Sequence, residues 1–155
     1  MKIFLSWSGT RSHKVAILFE DWIKRVIQAV EPWLSSNDID KGTVWFNEIT
    51  NQLNDTENGI FFLTKSNINS PWILFEAGAI SKGSSSNNVF TFLVDMDVKD
   101  VGQPLAQFNH ILPNKISVFS LLKTINKKLE KKIDEKILDK IFETNWNEFT
   151  ENFDK

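Results

Sequence analysis

The chain contains no cysteine, which excludes disulfides, thiolate zinc sites and a cysteine nucleophile. Its two histidines, His13 and His110, stand far apart and outside any G-x-S-x-G context. A His-rich metal centre and a Ser-His-Asp hydrolase are therefore not indicated, and both histidines are expected at the surface or at helix caps. Tyrosine is also absent, although there are thirteen Phe and six Trp. Phenylalanine has no polar handle, so most of this aromatic content is expected in the core. Charge of neither sign dominates: the formal net charge of -2 argues against bulk electrostatic binding of nucleic acid or of an anionic membrane. No apolar run is long enough to span a bilayer, and the opening MKIFLSWSG is too short for a signal peptide, so the expected compartment is the cytoplasm. With 155 residues of ordinary globular composition, one domain over 1–155 is expected, its C-terminal helices (about 115–155) packed on the rest.

Hydrophobic periodicity orders the elements. KIFLSW, residues 2–7, reads as a strand ending in the Ser8-Gly9 turn. From Ser12 the residues Val15, Leu18, Phe19, Trp22, Ile23, Val26, Ile27 and Val30 recur at helical spacing until Glu31-Pro32 stops them. VEPWLSS is a second strand, NDIDKG (37–42) a polar loop, and Thr43 to about Asp55 a second helix. GIFFLT, residues 59–64, is a continuous apolar strand covered on both faces. Ser70-Pro71 is a helix start, and that helix runs to about Ser81. Val89 to Asp95 is a further strand, and Met96 to Pro113 is loop-rich, with a short helical turn expected at Leu105 to Asn109. Helical patterns follow at Lys115 to Lys131 and from Ile133 through Ile137, Ile141, Trp146 and Phe149. Alternating strands and helices specify an α/β fold with an open parallel sheet, whose ligands bind outside the carboxyl ends of the strands.

Few residues at those ends point to chemistry. SWSGTRS lacks both glycine-rich phosphate fingerprints, yet its turn could present backbone N–H groups, with Arg11 available for a diphosphate. A plain strand-to-helix turn explains it equally well. Asp38 and Asp40 lack the further oxygen ligands that a cation needs and read as solvated loop acids. Glu76 is the strongest candidate, a carboxylate inside the apolar window SPWILFEAGA. Trp72 lies four residues before it, on the same helix face, and Ile73, Ala77 and Ile80 are the expected core side. Trp72 and Glu76 are then expected on the other edge, facing the strand ends, with Ala77-Gly78-Ala79 packing closely on the sheet. From spacing alone Glu76 is either a structural anchor for a loop or a catalytic group.

KIFLSWSG, NDIDKG, GIFFLTKSNINSPWILFEAGAISK and PLAQF, in that order and with Ser70, Trp72 and Glu76 spaced as S-x-W-x-x-x-E, resemble a bacterial Toll/interleukin-1 receptor (TIR) domain over nearly the whole chain. The resemblance implies a flavodoxin-like three-layer fold with about five parallel strands. It also implies an NAD+ nucleosidase (NADase), with NAD+ as substrate and no cofactor or metal. Such an enzyme breaks the nicotinamide–ribose bond to give ADP-ribose or, as an ADP-ribosyl cyclase, a cyclic isomer, in antiviral defence signalling. Glu76 maps onto the family's catalytic glutamate. The substrate-binding residues expected with it are Trp72, Trp7, Ser8, Gly9, Thr10, Arg11, Asp38, Lys41 and Trp45. Ile73 stands where many members have cysteine, and Lys41 rather than proline precedes Gly42 in the so-called BB loop. Implied partners are further TIR copies and a sensor or effector protein, with no membrane and no nucleic acid. The competing readings are a non-catalytic TIR adaptor and a nucleoside-processing enzyme on a similar sheet.

Overall fold

The computed structural model describes residues 1–35, 51, 53–54, 56, 58–81 and 89–155. Among these, five parallel strands form one sheet in the order β2-β1-β3-β4-β5. They are β1 (Lys2–Ser6), β2 (Glu31–Leu34), β3 (Gly59–Leu63), β4 (Val89–Leu93) and β5 (Asn109–Ile111). Four α-helices accompany them: α1 (Thr10–Val26), α2 (Pro71–Ser81), α3 (Lys115–Lys127) and α4 (Glu135–Phe153). This is the flavodoxin-like α/β arrangement, and its strand order reverses between β1 and β3. There Phe4, Leu5 and Ser6 pair with Gly59, Ile60 and Phe61.

Side chains alternate along each strand, and the sheet accordingly divides two apolar layers. Ile3, Leu5, Ile60, Phe62, Phe90 and Phe92 face a layer built by α1, α3 and α4, where Phe19, Trp22, Phe142 and Phe149 meet edge to face or tilted. Phe4, Phe61, Leu63, Val89 and Leu93 face the other layer, closed by Ile73, Ala77 and Ile80 of α2. Trp22 buries its ring and donates its Nε1 hydrogen to the Asn145 carbonyl at 3.1 Å, the partner a buried indole requires.

Several boundaries move. Helix α1 ends at Val26, and Pro32 lies inside β2, where its position in an edge strand spares the ladder a missing donor. The stretch expected to be loop contains β5, a strand of three residues too short and too polar to stand out, preceded by two 3-10 turns at Val98–Asp100 and Leu105–Gln107. His110 is a strand residue, half-buried and hydrogen-bonded through Nδ1 to the Thr91 hydroxyl, rather than a cap. In α4 the buried stripe is Leu138, Phe142, Trp146 and Phe149, and Ile137 is exposed. The expected helix from Thr43 and the 37–42 loop lie outside the described residues, apart from residues 51, 53 and 54, which are helical, with Leu53 buried.

Candidate active site

Helix α2 starts at Pro71, which has no N–H to leave unpaired, while the Ser70 carbonyl accepts from Leu74 N–H at 3.2 Å. Its inner stripe follows the i, i+3, i+4, i+7 rule through Ile73, Glu76, Ala77 and Ile80, and all four are buried. Glu76 is therefore part of the core stripe and not on the opposite edge. Gly78 is exposed, and among the described residues nothing outside its own helix backbone lies within 4 Å of where its Cβ would be, so it is not the point of close approach to the sheet. The close approach comes from the strand instead: a Cβ on Gly59 would lie 2.9 Å from Ile80 Cδ1 and 3.0 Å from Phe61 Cε2.

The inner position of Glu76 brings it to the last residue of β1. Ser6 points to the Phe4 side of the sheet, and its Oγ donates to Glu76 Oε1 at 2.6 Å, with both residues wholly inaccessible. Glu76 Oε2 is buried without a formed hydrogen bond. Burial raises the carboxyl pKa from 4.5 to about 8; the Ser6 hydroxyl and, more weakly, the Trp72 indole pull it back down. At neutral pH this acid holds its proton. Trp72 is half-buried on the shoulder of the same helix and stacks on Phe75, with ring centroids 5.6 Å apart.

The loops after β1 and β3 are joined at this point by Asn67. Its Oδ1 accepts from Thr64 N–H at 2.8 Å, and its Nδ2 donates to the Phe62 carbonyl at 2.9 Å and the Ser8 carbonyl at 3.0 Å. Ser8 N–H donates to Ser12 Oγ at 2.9 Å, which occupies it within the turn. Gly9 takes the positive φ of 94° that turns the chain into α1, and Thr10 begins that helix on the exposed side.

Two expected neighbours lie elsewhere. Trp7 packs toward the α1 layer, donates to the Ser35 carbonyl at 2.7 Å and stacks on His13 at 3.9 Å. The guanidinium of Arg11 sits 5.3 Å over the Phe153 ring and contacts the Phe153 carbonyl at the end of α4. Neither joins Glu76. Asp38, Lys41 and Trp45 lie outside the described residues. The structure thus gathers Ser6, Glu76 and Trp72 at the β1/β3 reversal, with the Ser8-Gly9 turn tied in through Asn67.

A family model described as "TIR domain" matches residues 3–137, most of the chain. The chain belongs to the TIR domain family. Comparison with curated proteins gives no match. The matched stretch of this TIR domain includes Ser6, Asn67, Trp72 and Glu76, and so the whole carboxyl site. Among the described residues of the TIR domain, no group of three His, Asp or Glu side chains could hold a metal ion, and no helix is long and apolar enough to cross a membrane.

Sequence reasoning missed Ser6 and Asn67. Ser6 has one legible signal, a hydroxyl on the inward alternation of KIFLS at a place where Phe4 sets an apolar face. Asn67 has none, because KSNIN reads as generic loop until its ends are brought beside Ser8.

Proposed function

We propose that this TIR domain cleaves NAD+ at the nicotinamide–ribose bond, with Glu76 as the catalytic carboxylate. The observation that supports this most is a glutamate at the strand-order reversal, one oxygen held by Ser6 and the other without a formed hydrogen bond. In α/β sheets that reversal is where ligands bind. Breaking the bond between ribose C1′ and the pyridinium nitrogen sends the electron pair to nicotinamide, which leaves neutral and needs no general acid. Positive charge develops on C1′ and the ring oxygen, where an ionised Glu76 stabilises it. Attack by water then gives ADP-ribose and a released proton; attack by an adenine nitrogen gives a cyclic product. The cationic nicotinamide ring itself favours ionisation of the neutral resting acid. The same reading includes self-association through TIR–TIR contacts and a partner sensor or effector in a defence-signalling setting.

The test is incubation of concentrated pure protein with NAD+, followed by chromatography of nicotinamide and ADP-ribose products. Turnover is expected in wild type, with a loss of about a hundredfold or more in Glu76→Gln, the size seen when one charge-stabilising group is removed. A second reading draws on the complete burial of Glu76, which also suits a tether that holds α2 to β1 in a TIR adaptor without catalysis. Equal inertness of wild type and variant under all activating conditions, including with partner proteins, selects the adaptor.

A further inference from the structure

We propose that Ser6 is a positioning residue for Glu76: its hydroxyl fixes Oε1 at the end of β1 and leaves Oε2 as the oxygen that meets the charge developing on the ribose. This rests on the NAD+-cleaving reading above. A hydroxyl buried in an apolar layer is costly unless bonded, and among the described residues the Ser6 hydroxyl makes one hydrogen bond, to Glu76. At 2.6 Å the contact is at the short end of the O–H···O range. Strand β1 is a rigid support, since it is paired on one side with β2 and on the other with β3.

The last torsion of a glutamate has only a broad, roughly two-fold preference of its own, so a hydrogen-bond partner decides which oxygen lies where. Around it, β1, β3 and β4 contribute Phe4, Phe61, Leu63, Val89 and Leu93 to the layer that α2 closes. The Ser6 hydrogen bond and, more weakly, the nearby Trp72 indole favour the ionised form, and no charged side chain acts on Glu76 among the described residues. Ser6 therefore has two effects on one group: it selects which oxygen keeps its hydrogen-bonding capacity, and it makes the carboxylate easier to form.

The experiment titrates 13C-labelled glutamate carboxyls by NMR in the full chain, with Glu76 assigned by its loss in Glu76→Gln, beside pH profiles of kcat/KM for NAD+. Wild type is expected to titrate near pH 8, with kcat/KM rising over the same range. In Ser6→Ala the midpoint and the acid limb move up together, so that activity at pH 7 falls about tenfold or more and partly recovers at pH 9, with KM little changed. Ser6→Thr, which keeps the hydroxyl, holds both close to wild type. Ser6→Cys, nearly isosteric with a weaker donor, falls between and guards against a folding defect in the alanine variant. An unmoved Glu76 midpoint in Ser6→Ala, or a loss of activity equal at pH 7 and pH 9, overturns the proposal. A moved midpoint with no turnover in any variant upholds the hold on the carboxyl and overturns the NAD+-cleaving reading instead.

Discussion

Because Glu76 titrates near pH 8 in the folded chain against 4.5 for an unhindered glutamate, its ionisation works against folding. Between those values the native state binds a proton that the unfolded state has released, so stability falls as pH rises. The contribution is fully present below about pH 4.5 and is lost by the time pH passes 8. A shift of this size corresponds to roughly 3–5 kcal/mol. Glu76→Gln removes the ionisable group while keeping an oxygen for Ser6, at the constant cost of an amide N–H pair in an apolar layer. Urea unfolding of both proteins from pH 5 to pH 9 is therefore expected to show the variant gaining on wild type steadily, by about that amount. Parallel pH curves would mean that Glu76 is ionised in the resting fold.

At the level of elements, the site depends on two loops being tied together, and Asn67 ties them with three hydrogen bonds from a buried position. Asn67→Ala leaves Thr64 N–H and the Phe62 and Ser8 carbonyls short of a partner. A loss of about 2–4 kcal/mol in urea unfolding is expected, with faster amide exchange at both Ser8 and Thr64. Exchange confined to the β3 loop would show that the link to Ser8 does not hold the turn. The same residues show what could be read from the chain. Strands β1, β3 and β4 and helices α1 and α2 were legible because their apolar periodicity is long and strong. Ile73, Ala77 and Ile80 form the expected core side of α2, and Glu76 joins them there rather than the opposite edge, because positions 73, 76, 77 and 80 form a single stripe. A polar residue can occupy that stripe because Ser6 pairs with it. Strand β5 was not legible because its three residues, Asn109, His110 and Ile111, are defined by pairing with β4 rather than by any pattern of their own. Ser6 and Asn67 required the tertiary neighbour that uses them.

In the whole molecule the sheet separates two cores with different duties. The α1, α3 and α4 side holds the aromatic surplus: Phe149 is buried, lies 4.8 Å from the Trp22 ring and touches Phe19 and Trp146 as well. The carboxyl site lies in the opposite layer, against α2. Phe149→Ala removes a large ring from a packed interior that cannot fully collapse, and is expected to cost about 3–5 kcal/mol. Its effect on Glu76 should be small, because the strands between the layers are paired along β1, β3 and β4 and do not follow a cavity on their far face. Thermal or urea unfolding should therefore show a large loss, while in the folded variant the carboxyl of Glu76 still titrates near pH 8. If the midpoint instead falls toward that of a solvated glutamate at temperatures well below the transition, water has reached the α2 layer. The two cores would then form one cooperative unit, in which packing on the α4 side governs how dry the carboxyl is kept.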